Sequence, residues 1–154
     1  MGEAAPVCEV WFYHLERTAL DQALPELLEK TVARGWRALV RTPLRERVEH
    51  LDAWLWTYKD DAFLAHGVAD EPEAGRQPIL LTTGDDNLNA ADALFLLDGA
   101  DEERFAGYRR CIDLFDGRDE AAVAAARLRW KKARALGLPV TYWKQGERGW
   151  EKQG

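Results

Sequence analysis

The sequence predicts an α/β domain with a mainly parallel central sheet flanked by helices. Short runs rich in β-branched and aromatic residues alternate along the chain with longer segments of helical apolar spacing. The 154 residues suffice for one domain with its own core, since a chain of this length buries roughly 70% of the surface it exposes when unfolded. We expect a single α/β domain over residues 1–145 and a short C-terminal tail over 146–154.

The first half of the chain predicts two strand–helix units. Residues 10–14 form a compact β-branched and aromatic run, and residues 20–33 carry apolar side chains at helical spacing. Gly35 follows this helix, where a glycine commonly ends one. Residues 36–41 predict the second strand and residues 44–56 the second helix.

Three further strands are predicted from apolar runs in the second half, at 78–83, 93–97 and 109–115. A helix from about Glu102 is expected to precede the strand at 109–115. The long last helix is predicted between Asp119, a capping residue, and Gly137, a glycine stop.

The cysteines and the apolar runs indicate the cellular compartment of the protein. Cys8 and Cys111 both lie in apolar surroundings, which is typical of buried, reduced thiols and fits a reducing cytoplasm. The first residues lack the charged and apolar regions of a signal peptide, and no run of 18 or more apolar residues occurs. We therefore expect a cytoplasmic protein that does not span a membrane.

The sequence lacks the motifs of common catalytic sites. It has no glycine-rich phosphate loop of the P-loop or dinucleotide type, and it has no serine, so a serine nucleophile is excluded. The three histidines are scattered, and Glu46 with His50 lacks the third member that a metal site needs. His14 at a strand end is more often structural than catalytic. We expect no catalytic residue, no metal and no cofactor.

The last predicted helix carries a basic face. Arg127, Trp130, Lys131 and Arg134 fall at i, i+3, i+4 and i+7 and so share one side of the helix. Spacing alone leaves two interpretations open. One is a solvated face with an aromatic ring against long basic stems, and the other is a site for an acidic ligand with an apolar anchor.

The opposite side of that helix is the expected core stripe. It carries one large aliphatic residue and three small ones, namely Leu128, Ala121, Ala125 and Ala135. Trp130 would then lie among cations and away from the core.

Charge is unevenly distributed along the chain. Residues 127–152 hold eight basic and two acidic residues, a charge of +6, whereas the whole chain carries −6, so the remainder carries −12. A protein that holds duplex DNA by itself is more often basic over a broad face. An acidic partner is therefore favoured, and contact with DNA is expected to be mainly indirect.

A second candidate surface lies at the end of the second predicted helix. Trp54, Trp56 and Tyr58 cannot all point inward from one helical turn, so at least one should be exposed. Exposed aromatic residues are enriched in interface hot spots. The alternative is that all three pack over the end of the sheet.

Over nearly its whole length the chain resembles the chi subunit family of bacterial DNA polymerase III holoenzyme. The segments that carry the resemblance share their order and spacing with the family: 10–14, 36–40, 51–56 leading to Phe63 and His66, and 127–131 through Gly137 to 143–144. The resemblance implies a nucleotide-binding-like (Rossmann-like) three-layer fold without a nucleotide site.

The resemblance also implies a non-catalytic adaptor of the clamp loader that binds the acidic, Phe-ending C-terminal tail of single-stranded DNA-binding protein. The family holds this tail on its last long helix, at positions that match Arg127, Trp130 and Lys131. Val123 stands where a lysine is expected, which leaves two alternatives: Arg134 compensates for it, or binding is weaker and less sensitive to salt.

The family's second partner is the small psi subunit, which bridges chi to the clamp loader. The matching contact positions are Trp56 and Phe63, and Lys59 stands where relatives have a proline.

Two other functions remain open at this point. One is a small cytosolic α/β enzyme that binds a nucleotide or a phosphorylated metabolite at the carboxyl ends of its strands. The other is direct nucleic-acid binding through the basic end of the chain.

Overall fold

The computed structural model describes residues 7–59, 64–102, 104–147 and 149–153. Its strands are β1 (Glu9–Leu15), β2 (Ala38–Arg41), β3 (Gly67–Val68), β4 (Ile79–Thr82), β5 (Ala93–Leu96), β6 (Arg110–Asp116), β7 (Val140–Gly146) and β8 (Gly149–Gln153). Its α-helices are α1 (Leu20–Ala33), α2 (Arg45–Thr57) and α3 (Glu120–Ala135).

All of these strands form one sheet in the order β3-β4-β2-β5-β6-β1-β7-β8. Every described pairing is parallel except that of β7 with β8, which is antiparallel. Helices α1 and α2 pack on one face and α3 packs on the other. The predicted class, a mainly parallel sheet in a three-layer α/β arrangement, is confirmed.

Two core clusters lie on the two faces of the sheet because successive strand residues point to opposite sides. In β1, Tyr13 and Leu15 face α1 and α2, whereas Val10 and Phe12 face α3. Cys8 and Cys111 lie in the second cluster, where both are buried and unpaired. Burial raises the pKa of the Cys8 thiol to about 12. This is the state predicted for both cysteines.

The predicted helix from about residue 102 is wrong. The described chain there forms a single 3-10 turn at Phe105–Gly107. The amides of Arg109 and Arg110 both donate to the carbonyl of Asp92, which draws the chain directly into β6. A run with so few apolar residues has no further surface on which a helix could be held.

The segment expected as a tail over 146–154 contains β8. Gly149 adopts φ +115°, a conformation that favours glycine, and the chain reverses there to pair with β7. Trp150 then packs edge-on against Tyr13, with ring centroids 4.7 Å apart. No helix in the described ranges is long and apolar enough to cross a membrane.

Candidate protein-binding site

Both ends of α3 are set by the residues that the sequence indicates. The Asp119 carboxylate accepts hydrogen bonds from the amides of Ala121 and Ala122, at 3.0 and 3.3 Å. Gly137 adopts φ +78° after the last turn, and its amide donates to the Arg134 carbonyl. These caps confirm the predicted start and stop of the helix.

The predicted core stripe of α3 is wrong. Leu128 is 69% exposed, and Ala121 and Ala135 are exposed with it. The residues that pack against the second core cluster are instead two buried alanines and two half-buried large residues, namely Ala126, Ala133, Val123 and Trp130. Trp130 therefore lies at the boundary between core and surface.

An ion pair between α3 and β6 explains why α3 turns Ala126 and Ala133, rather than Leu128, toward the sheet. Arg129 Nε and Nη2 donate to the two carboxylate oxygens of Asp113 at 2.6 and 3.1 Å. The two side chains are only 10% and 3% exposed. Burial raises the pKa of the Asp113 carboxyl, and the hydrogen bonds from Arg129 oppose that rise. Because Arg129 must point at the sheet, Leu128 is turned to solvent and Trp130 toward the core.

The four residues of the predicted binding face lie together on the flank of α3. Arg127, Lys131 and Arg134 are exposed, and Trp130 lies half-buried between them. The Arg134 guanidinium carbon lies 4.9 Å from the centroid of the Trp130 ring, a cation–π distance. These two residues line a pocket of about 230 Å³ together with Leu138 and Val140.

The cations of α3 divide into paired and unpaired sets. Arg129 is bound to Asp113, and Lys132 Nζ lies 2.7 Å from an Asp101 carboxylate oxygen. Within the described ranges, no ion pair is formed by the other three cations of the helix, which are Arg127, Lys131 and Arg134. The unpaired set therefore coincides with the predicted binding face.

Strand β7 forms the second wall beside this face. Val140, Tyr142 and Lys144 alternate along the strand and project from its α3 side, where Val140 and Tyr142 pack against the second core cluster. Lys144 Nζ lies 3.4 Å from Glu16. We refer to the binding face (Arg127, Trp130, Lys131 and Arg134) and these three β7 residues together as the α3–β7 groove.

The loop after β1 lies where nucleotide-binding α/β proteins hold a phosphate. Its backbone amides are already paired. The side-chain oxygen of Gln145 accepts hydrogen bonds from the amides of Glu16, Arg17 and Thr18 at 3.0, 2.6 and 3.1 Å. The Gln145 side-chain nitrogen donates to the Thr18 hydroxyl at 2.7 Å. An internal amide thus occupies this cradle.

A larger cavity of about 710 Å³ lies at the carboxyl ends of β1 and β6, between the starts of α1 and α3. Ligands of open α/β sheets commonly bind in this position. Two of its cations are held internally, because Arg47 forms a two-point contact with Asp98 and Arg118 contacts Asp116. The cavity therefore offers little free positive charge for a phosphate.

The aromatic residues at the end of α2 have separate roles. The Trp54 indole donates to the Asp21 carbonyl at 2.7 Å, and the Tyr58 hydroxyl donates to Glu29. Trp56 is 47% exposed, which confirms that at least one of the three faces solvent. Phe63 lies outside the described residues. Trp56 is on the sheet face opposite the α3–β7 groove.

Sequence reasoning missed the β7 wall and the occupied cradle. The local sequence pattern does not place Tyr142, Lys144 and Gln145 near their partners, because those partners lie about 130 positions away in the chain. The alternation of these residues was the available signal, since it puts Tyr142 and Lys144 on one face of the strand.

Two comparisons with known proteins bear on the chain. A family model described as the DNA polymerase III chi subunit, HolC, matches residues 8–141. A protein of Rickettsia prowazekii (strain Madrid E), described as probable DNA polymerase III subunit chi, is 27% identical over 103 residues. That match covers 67% of this chain and 62% of the relative, so the chain spans less than two thirds of the relative's length.

Proposed function

Because this chain belongs to the DNA polymerase III chi subunit family, we propose that it is a non-catalytic accessory subunit that links the clamp loader to single-stranded DNA-binding protein during replication. The observation that carries the proposal is the α3–β7 groove. It combines a partly open indole with Arg127, Lys131 and Arg134, which form no ion pair with any residue that the structure describes. This is the chemistry that an acidic peptide with an apolar end requires.

The groove gives each part of such a peptide a counterpart. Guanidinium groups grip carboxylates by two parallel hydrogen bonds, which suits Arg127 and Arg134 to aspartates and to a terminal carboxylate. The half-buried Trp130 ring is the aromatic surface against which a terminal phenylalanine would pack. Any DNA contact of the complex would then be mainly indirect.

Val123 stands where a lysine is expected in the family, and the structure gives this position a different role. Val123 packs against the second core cluster, so this position contributes to the core here. Arg134 beside Trp130 supplies a cation at the other end of the groove, whereas Lys144 of β7 is paired with Glu16. The charge proposed to bind the peptide is thus carried by α3.

Fluorescence polarisation tests the proposed site with a labelled peptide that ends in Asp-Asp-Ile-Pro-Phe. Arg127→Ala should weaken binding by roughly tenfold or more, since a hydrogen bond to a charged group contributes about 1.5–3 kcal/mol. Arg45→Ala is the matched control, because Arg45 is an exposed arginine on α2, across the sheet. Equal affinity of Arg127→Ala and wild type would refute the site.

The second partner is proposed to dock at Trp56 and Phe63. We expect a psi subunit or an equivalent clamp-loader component to contact these residues, of which Trp56 lies across the sheet from the groove. Trp56→Ala should therefore weaken capture of that component while peptide binding stays within about twofold of wild type. A loss of peptide binding in Trp56→Ala would contradict the assignment of two separate surfaces.

One alternative function, a small α/β enzyme that binds a nucleotide or phosphorylated metabolite, would use the cavity at the carboxyl ends of β1 and β6, but Arg47 and Arg118 in that cavity are already paired. Thermal shift against a nucleotide panel tests it, since a ligand at 100 times its Kd adds about 2.7 kcal/mol of stability. Direct nucleic-acid binding is tested on single-stranded DNA, where it predicts an affinity that falls steeply with salt. We expect neither response.

A further inference from the structure

We propose that the Tyr142 hydroxyl is a ligand-binding group of the α3–β7 groove, and that the His14 imidazole behind it determines whether this hydroxyl can donate its proton to a carboxylate of the bound acidic peptide. The inference rests on the proposed function, because it concerns the same peptide. His14 Nδ1 lies 2.6 Å from the Tyr142 oxygen. His14 is only 8% exposed, whereas Tyr142 is half-buried and lies within electrostatic range of Arg127.

The second nitrogen of His14 is buried and lacks an aligned partner among the described residues. Nε2 lies 3.2 Å from a Glu16 carboxylate oxygen, which is an ion-pair distance, but the geometry falls short of a hydrogen bond. Charged and titratable groups reach His14 from every strand and helix packed around it: Glu16 after β1, Asp116 of β6, Arg127 of α3, and Tyr142 and Lys144 of β7.

A neutral imidazole carries one proton and can place it on either nitrogen. The Glu16 carboxylate near Nε2 favours the tautomer with the proton on Nε2, which leaves Nδ1 as an acceptor. Tyr142 must then donate its single hydroxyl proton to His14. In this state the hydroxyl has no proton to offer a ligand in the groove.

A protonated imidazole reverses the direction of that hydrogen bond. Both ring nitrogens then carry a proton, so Nδ1 donates to the Tyr142 oxygen. The Tyr142 hydroxyl then no longer donates to His14. It keeps its own proton and can donate it in a hydrogen bond to a peptide carboxylate held by Arg127. Charge-assisted hydrogen bonds of this kind are about twice as strong as neutral ones.

The free protein should hold His14 mostly neutral near pH 7. Burial lowers the pKa of His14, and the charges of Lys144 and Arg127 act in the same direction, while Glu16 opposes them. A bound carboxylate adds negative charge at the dyad and favours the protonated form. Because linkage is reciprocal, a peptide that raises the pKa of His14 must itself bind more tightly as the pH falls.

The other two histidines of the chain lie away from the groove. His50 is on α2 and contacts Asp21, and His66 contacts Asp52 of α2. Both are on the opposite face of the sheet. The peptide carboxylates stay largely ionised above pH about 5, since their ordinary pKa is about 4. A change in affinity between pH about 8 and about 5.5 therefore reports on His14.

The test measures peptide affinity by fluorescence polarisation at these two pH values. The affinity of the wild type for the peptide should be at least roughly fivefold higher at the lower pH, and Tyr142→Phe should lose this increase in affinity. Tyr13→Phe is the matched control, because Tyr13 lies on the other face of β1, and it should keep the rise. The NMR titration of the His14 ring needs no variant and should show a higher pKa with peptide than without.

The two proposals fail in different ways. No peptide binding at either pH, or binding that is unaffected by Arg127→Ala, overturns the proposed function and this inference with it. Binding that depends on Arg127 but shows the same pH response in wild type and Tyr142→Phe overturns the dyad alone. An unchanged pKa of His14 on peptide addition likewise overturns the dyad alone.

Discussion

Arg129 and Asp113 join α3 to β6 through two hydrogen bonds at 2.6 and 3.1 Å, and this contact sets which side of the helix meets the sheet. Burying an arginine here removes it from the exposed basic surface of α3. The cations left outside, Arg127, Lys131 and Arg134, then line one flank. An internal ion pair thus determines the composition of an external surface.

We expect Asp113→Ala to lower the free energy of unfolding by about 3–5 kcal/mol, because it leaves the buried Arg129 charge unpaired. Replacing both partners, as Asp113→Leu with Arg129→Met, should cost far less or stabilise the fold, since burial already disfavours the ionised Asp113 carboxyl. Urea denaturation of the three proteins measures this. A double variant as unstable as the single one would contradict the assignment.

The orientation of α3 predicts that stability is insensitive to a substitution at Leu128 but sensitive to one at Ala126. Leu128→Ala should change stability by less than about 0.5 kcal/mol, because Leu128 is exposed. Ala126→Leu should destabilise the fold by about 1–3 kcal/mol, because extra methylenes overfill a packed site. Thermal unfolding of both variants gives the comparison. A large loss in Leu128→Ala would support the stripe predicted from sequence.

Gln145 should matter for stability although it lies near the end of a strand. Gln145→Ala leaves the amides of Glu16, Arg17 and Thr18 without their common acceptor and should cost about 1–3 kcal/mol. Gln153→Ala in β8 is the control, since that glutamine is exposed, and it should stay within about 0.5 kcal/mol. Chemical denaturation measures both, and equal effects would argue against the cradle.

Two adjacent lysines provide a matched pair for the groove. Lys131→Ala should weaken peptide binding by up to about fivefold, the effect of losing one exposed ion pair. Lys132→Ala should leave affinity nearly unchanged, because Lys132 is already bound to Asp101. Polarisation at low and high salt measures both, and the difference between them should shrink as salt screens the charges. A larger loss of peptide affinity in Lys132→Ala than in Lys131→Ala would contradict the division of the α3 cations into paired and unpaired sets.

The fold class could be predicted from sequence because its signals are local. The bounds of α1 agree with the apolar spacing of its residues, and Asp119 and Gly137 mark the ends of α3 by their own backbone preferences. The orientation of α3 could not be predicted in this way. Five alanines between 121 and 126 leave the apolar side undefined, and Leu128 outweighs them in any count of hydrophobicity.

The site was only partly predictable for the same reason. Arg127, Trp130, Lys131 and Arg134 share a helix face whatever the helix packs against, so their proximity followed from spacing. Tyr142 and His14 meet across two paired strands, and only the register of β1 with β7 brings them together. Sequence separation hides such contacts from any reading of local pattern.

The β7–β8 pairing has a consequence for how a peptide can be read by the groove. Both edges of β7 are hydrogen-bonded, to β1 on one side and to β8 on the other. A peptide in the groove therefore cannot pair with β7 as an added strand, the mode in which backbone contacts supply affinity with little regard to sequence. Recognition at this groove must use side chains, so its selectivity depends on the charge and shape of the peptide's own residues.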